Sequence, residues 1–143
     1  MTETEIEQAV WEQAVNNTAK VWLITGNYGT MIAARLLRGR IVTGMDVPFR
    51  IPHHTCSAVG LVSELAIAAG GVLYLDQVVE FHSVALSAML GAWRMMGPAT
   101  RPTLIFGINW GPATTTQDMN FFERAIPRLN LPPIDIHIAL PVA

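Results

Sequence analysis

The chain has 143 residues, of which 51% are hydrophobic and only 14% are charged, which excludes a disordered tail and suits one domain with a sizeable core. The net charge is −2 and the basic residues are scattered, which excludes the basic stripe of a nucleic-acid-binding surface. The single cysteine excludes a disulfide framework, and no apolar run is long enough for a membrane span, so we expect one soluble, cytoplasmic domain over residues 1–143.

The first part of the sequence predicts a helix, a strand and a second helix. Apolar residues recur at helical spacing over residues 4–17. The apolar run of residues 21–24 stops at Gly26, as a buried strand does, and helical character returns over residues 30–37. A strand, a glycine-bearing turn and a helix in this order open an α/β unit.

The rest of the sequence predicts three more strands separated by helices and loops. Prolines make residues 46–57 irregular, and residues 61–69 fit either a short helix or an extended segment. Strands are predicted over residues 71–75, 103–108 and 134–140, and helices over residues 82–93 and 118–126. This alternation of apolar strands and helices predicts a mostly parallel sheet with helices on both faces.

Glycine and polar residues follow the predicted strands, where a parallel sheet places its ligands. The turn after the first strand leads into a helix and offers backbone N–H groups to an anion, although such turns also contain glycine for geometry alone. A carboxylate at a strand end, here Asp76, is suited to hold Mg²⁺ through water. The candidate nucleotide-binding residues at these ends are Gly26, Asn27, Gly29, Thr30, Asp76, Gln77 and Asn109.

Several sequence blocks resemble those of the magnesium-chelatase-like AAA+ ATPases. The most specific is PFRIPHH at residues 48–54, which resembles the family's "PFR-x-PHH" block. The segments at 64–68, 71–76, 104–109 and 131–141 resemble its "E-x-x-L-A", "G-V-L-F-L-D-E", sensor-1 and "L-D-R-I-D-L-H-V-E-V-P" blocks in the same order. The family-loop residues carried by this resemblance are Pro48, Phe49, Arg50, His53 and His54.

This resemblance implies a P-loop NTPase-like fold, an AAA+ core whose relatives form rings. It also implies ATP or ADP with Mg²⁺ as the cofactor, if any is retained, with Asp76 acting on Mg²⁺ through the nucleotide. The only other metal interpretation is a zinc site at His53, His54 and Cys56, which lacks a fourth ligand and the usual spacing. We therefore expect His53 and His54 to be loop residues held by hydrogen bonds.

The departures from the family pattern fall on the ATPase site. The first turn is shorter than the family's P-loop and lacks its lysine, and Lys20 lies on the wrong side of the strand to replace it. Gln77 stands where the family has a water-activating glutamate, and an amide cannot accept that proton. Residues 131–135 lack the family's arginine, and Arg124 and Arg128 have the wrong offset. The chain stops near the last core strand, so the resemblance implies that the helical lid is missing.

Two functions remain open from the sequence. The first is a degenerate, non-catalytic AAA+ module that acts through protein association, as a homo-oligomer or with a related AAA+ subunit, and the apolar composition favours such a surface. The alternative is a divergent ATPase that binds Mg-nucleotide through Gly26–Thr30, Asp76 and Asn109. DNA handling rests on family analogy alone and finds no support in the charge pattern.

Overall fold

The described residues form a five-stranded parallel sheet with two α-helices packed against each other. A computed structural model describes residues 21–26, 48–109 and 126–139. In chain order the elements are β1 (Val21–Gly26), β2 (Phe49–Arg50), α1 (Ala58–Ile67), β3 (Val72–Leu75), a 3₁₀-helix (Val78–Glu80), α2 (Ser83–Met95), β4 (Thr103–Asn109), a second 3₁₀-helix (Ile126–Leu129) and β5 (Ile136–Ala139).

The order of strands across the sheet is β2-β3-β4-β1-β5. Every pairing among these strands is parallel, which confirms the predicted mostly parallel sheet. Because β4 pairs with β1 rather than with β5, segments that are distant in the sequence end side by side. The carboxyl-terminal ends of β1, β3 and β4 therefore lie at one edge of the sheet.

Both faces of the central strands are buried. On one face, leucines of β3 and β4 pack with Leu61 and Leu65 of α1 and with Leu86 and Met89 of α2. The alternate strand residues, such as Trp22 and Tyr74, are no more than 1% exposed. This burial explains why the strands are continuous apolar runs rather than alternating ones.

Each α-helix begins at a side-chain cap. The Oγ of Ser57 accepts a hydrogen bond from the N–H of Gly60 at 3.0 Å and starts α1. Leu61 and Leu65 lie four residues apart, and both are buried, so the segment left undecided by the sequence is a helix. The Nδ1 of His82 accepts from the N–H of Val84 at 3.3 Å and starts α2 in the same way.

The strands predicted at residues 21–24, 71–75 and 103–108 and the helix at 82–93 are confirmed. The strand predicted at 134–140 begins two residues later and covers Ile136–Ala139 within the described residues. The expectation of an irregular segment at 46–57 is wrong at Phe49–Arg50, which pair with β3. The predicted helices at 4–17 and 30–37, and nearly all of the one at 118–126, lie outside the described residues. No helix in the described ranges is long and apolar enough to cross a lipid bilayer.

Candidate functional site

The predicted site residues that are described lie at the carboxyl-terminal edge of the sheet. Gly26, the last residue of β1, pairs in register with Asn109, the last residue of β4. In contrast, Leu75 ends β3 at the level of Phe106. Along the strand direction, Asp76 therefore lies about two residue positions, or ~7 Å, before the level of Asn109. The three strand ends share one edge, and the Asp76 turn is recessed within it.

The turn after β3 is held in an uncommon backbone conformation. Gln77 adopts φ 51° and ψ 55°, the left-handed region, which costs a non-glycine residue roughly 1–2 kcal/mol. An Asp76 carboxylate oxygen (Oδ1) accepts a hydrogen bond from the Gln77 N–H at 3.1 Å. The next residue, Val78, is fully buried, and Phe81 is buried as well. Core packing on the following residues thus fixes the turn that carries Asp76 and Gln77.

The PFRIPHH loop lies against this turn and forms a cleft with it. The cleft has a volume of about 290 Å³. It is lined, among the described residues, by Ile51, Pro52, His53, His54, Asp76, Gln77 and Glu80. The fold therefore brings together two of the sequence blocks that carry the family resemblance, the loop after β2 and the turn after β3.

Both histidines of the loop have defined polar contacts. The Nδ1 of His53 accepts the N–H of Thr55 at 3.3 Å, so the Thr55 hydroxyl, 2.7 Å from the same nitrogen, is the donor in that contact. The rings of His53 and His54 are in contact, with centroids 4.2 Å apart. The Nε2 of His54 lies 3.6 Å from a carboxylate oxygen of Glu80 and pairs with it when protonated. These contacts tie the loop to the 3₁₀-helix after β3.

The geometry does not favour a metal ion held by protein side chains alone. Within residues 21–26, 48–109 and 126–139, no group of three or more His, Cys, Asp or Glu side chains is arranged to hold one. The zinc interpretation of His53, His54 and Cys56 therefore has no geometric support in this part of the chain. The Nδ1 of His53 is already engaged by Thr55.

Arg50 and Glu64 form a bidentate ion pair that the sequence did not indicate. The Nε and Nη2 of Arg50 donate to the two carboxylate oxygens of Glu64 at 2.6 and 2.8 Å. The hydrogen bond to Arg50 lowers the pKa of Glu64, and the same bond raises the pKa of Arg50. The pair joins β2 to α1 and is absent from the described lining of the cleft. Both residues belong to the family-like blocks, and their pairing indicates a structural role.

Two residues near β5 also have partners that the sequence did not indicate. The Oγ1 of Thr25 lies 3.0 Å from the Nε2 of His137. Asp135 accepts from the N–H of Val21 through its carboxylate and donates its own N–H to the Val21 carbonyl, both at 2.9 Å. Asp135 thus fixes the beginning of β1, at the opposite end of the strand from Gly26.

The described lining of the cleft offers no cationic side chain to a nucleotide triphosphate. This lining contains two carboxylates, Asp76 and Glu80, and neither Lys nor Arg. Phosphate groups in nucleotide sites are held by cationic side chains and backbone N–H groups. Asn27, Gly29 and Thr30, which were predicted to supply such N–H groups, lie outside the described residues, and Asn109 is placed by its backbone pairing alone.

The chain is similar to known proteins in part of its sequence and in its fold. The sequence model of a family described as magnesium chelatase, subunit ChlI, matches residues 29–91, less than half of the chain. That range includes the PFRIPHH loop, α1, β3 and the Asp76 turn. A search of curated proteins gives no significant match.

A solved structure of the T158V variant of RuvB from Thermotoga maritima is similar over 96% of this chain. The TM-score is 0.57 at 11% sequence identity, and the matched region spans 43% of the RuvB chain. RuvB has the AAA+ P-loop NTPase fold. This chain therefore has an α/β, P-loop NTPase-like fold, and the family match supports a relationship to the AAA+ proteins.

Proposed function

We propose that this chain is a degenerate, non-catalytic module of the magnesium-chelatase-like AAA+ type that acts through association with other protein chains. The partner is a second copy or an intact AAA+ subunit. The observation that carries the proposal is the charge of the strand-end cleft, whose described lining holds Asp76 and Glu80 without a Lys or Arg side chain. Mg·ATP is itself an anion, and this described lining offers no Lys or Arg side chain to its phosphate groups.

The position of the single lysine supports the same conclusion. Lys20 is the only lysine in the chain and immediately precedes β1. The five residue steps from Val21 to Gly26 span about 17 Å, more than the length of a lysine side chain. A P-loop lysine must reach the β- and γ-phosphates beyond Gly26, so Lys20 does not replace it. Gln77 adds a second loss, because an amide cannot act as a general base.

Exposed apolar side chains on the two helices support the association part of the proposal. Ile67 on α1 is 54% exposed, and Val84 and Met95 on α2 are 63% and 89% exposed. A chain with only 14% charged residues has little polar surface with which to separate them. Apolar side chains of this size on helix surfaces are typical of protein interfaces.

One observation favours the alternative, a divergent ATPase that binds Mg-nucleotide. Gly26, Asp76 and Asn109 end neighbouring strands at the edge where parallel sheets bind ligands. If Asp76 holds Mg²⁺ through a nucleotide, binding is saturable and weakens in Asp76→Ala. The non-catalytic module predicts no such binding.

Calorimetric titration with Mg·ATP and with Mg·ADP separates the two functions. The proposal predicts no binding heat up to millimolar nucleotide for the folded chain, and no turnover in Gln77→Glu, because a restored base does not replace the lysine. Binding near micromolar concentration that is lost in Asp76→Ala would overturn the proposal and establish the alternative. Far-ultraviolet circular dichroism of each variant checks that the chain remains folded.

A further inference from the structure

A second, larger groove, whose described lining shares no residue with the strand-end cleft, lies between α2 and the 3₁₀-helix Ile126–Leu129. Its volume is about 640 Å³. Apolar side chains line much of it, including Val84, Leu86 and Leu129, and Val84 is 63% exposed. Arg128 lines the same groove. The groove thus combines an apolar lining with a cationic side chain at its border.

Among the described residues, Arg128 and Arg94 place positive charge beside the groove, and a third arginine, Arg101, lies at the carboxyl end of α2. Next to Arg128, the Nη2 of Arg94 donates to the carbonyl of Asn130 at 3.0 Å. Arg101 donates to the carbonyls of Arg94 and Met96 at 3.0–3.3 Å. These acceptors are neutral backbone groups, and the ion pairs among the described residues involve other side chains. The positive charge beside the groove is therefore not neutralised by a carboxylate of the described residues.

The sequence of the same chain contains a segment with the complementary properties. Residues 3–12 include four glutamates and no Lys or Arg, and the first basic residue of the chain is Lys20. Ile6, Val10 and Trp11 recur at the spacing that predicts a helix over residues 4–17. An amphipathic helix with an acidic side is the kind of segment that binds an apolar groove with a basic border.

We propose that the α2 groove binds the acidic N-terminal segment of a second copy of this chain. This inference rests on the proposed function, protein association, and specifies the surface that self-association uses. Groove and segment are different parts of each copy, so the contact is heterologous and joins copies head to tail into a ring or a filament. The arginines at the border attract the glutamates, and the apolar residues of the segment cover Val84.

The first test compares two matched substitutions, Val84→Glu in the groove and Val59→Glu on α1. Both residues are exposed and occupy the second position after a helix cap, where an acidic side chain favours the helix. We expect sedimentation velocity over a concentration series to show self-association of Val84→Glu weakened at least about tenfold, because the new charge repels the acidic segment. Val59→Glu should associate as the wild type does.

A charge exchange identifies the occupant. Arg94→Glu with Arg128→Glu reverses the groove border, and Glu5→Arg with Glu12→Arg reverses the acidic side of the predicted helix, where positions seven apart share a face. We expect each doubly substituted chain to be monomeric alone, and an equimolar mixture of the two to associate, since each border in the mixture can meet a segment of opposite charge. A mixture that stays monomeric would overturn the inference. A chain that carries all four changes and becomes compact again while staying monomeric would also overturn it, because the segment would then bind the groove of its own copy.

The outcomes separate this inference from the proposed function. If the wild-type chain self-associates and Val84→Glu has no effect, the groove assignment fails while protein association stands. If the wild-type chain is monomeric at every concentration, the inference fails and an intact AAA+ subunit remains the partner to test. A chain that is monomeric and also fails to bind such a subunit overturns the proposed function itself.

Discussion

Gly71 is the position where the structure predicts the largest effect of one added methyl group. A Cβ atom built at Gly71 would lie 1.9 Å from the carbonyl oxygen of Pro48 and 2.8 Å from its carbonyl carbon. Real Cβ atoms do not approach backbone atoms so closely, so the β2 and β3 backbones must separate. The same Pro48 carbonyl accepts the N–H of Val72 at 2.9 Å, and that bond is the one that the separation breaks.

The expected cost of Gly71→Ala is the sum of two effects. Overpacking in a buried site costs about 1–3 kcal/mol, and loss of one backbone hydrogen bond costs about 1 kcal/mol. We therefore expect the free energy of unfolding to fall by about 2–4 kcal/mol. With a urea m-value of about 2 kcal/mol/M for a domain of this size, the unfolding midpoint moves down by about 1–2 M.

Gly91→Ala is the matched control in the same chain. Gly91 lies inside α2, and a Cβ atom there has no heavy atom within 4 Å. Alanine favours a helix interior over glycine, so this variant should be more stable by about 0.5–1 kcal/mol. A Gly71→Ala chain that unfolds within 0.5 kcal/mol of the wild type would refute the close contact between β2 and β3 described here.

Three further predictions concern the contacts that hold the site elements. A double-mutant cycle of Arg50→Ala and Glu64→Ala should give a coupling of only about 0.5–1 kcal/mol, because the pair is partly exposed. The pKa of Glu64 is lower in the folded chain than in the unfolded chain, so the pair stabilises the fold at pH values above the unfolded pKa of about 4.3. This stabilisation is lost as the pH falls through the lower pKa of the folded chain. Urea unfolding at several pH values should show this loss in the wild type and not in Glu64→Gln. Trp93→Phe removes the indole N–H that donates to the buried Pro102 carbonyl at 2.9 Å, and should lower the free energy of unfolding by at least about 1–3 kcal/mol. Thermal unfolding measures this, and an unchanged melting temperature would contradict the contact. Ser57→Ala removes the α1 cap and should cost about 1 kcal/mol in urea unfolding, whereas Ser57→Asp should retain most of the stability.

The sheet was predictable because its strands are buried on both faces and therefore appear in the sequence as unbroken apolar runs. The helix α1 was not, since the apolar run at residues 61–69 fits both helix and strand periods. The segment is a helix because Ser57 caps its first turn and because Leu61 and Leu65, one helical turn apart, are both buried. The two-residue strand β2 lies between Pro48 and Pro52, and only its pairing with β3 shows that it is a strand.

The candidate site was predictable in its parts but not in its arrangement. Strand-end residues such as Asp76 follow from the general position of ligand sites in parallel sheets. The sequence did not show that the PFRIPHH loop closes on the Asp76 turn, because that contact depends on how β2 adds to β3. The sequence also did not show that Arg50 pairs with Glu64, because that pair depends on how α1 lies against β2.

The central claim, protein association without nucleotide chemistry, is tested most directly by sedimentation velocity of the wild-type chain with an intact magnesium-chelatase-like AAA+ subunit present or absent. Each sample is run with and without Mg·ATP. We expect the chain to assemble with itself or with the subunit as its concentration rises, and we expect the amount of this chain in the assemblies to be the same with and without Mg·ATP. A chain that is monomeric without nucleotide and assembles by itself only when Mg·ATP is added would contradict the account and indicate a working nucleotide site.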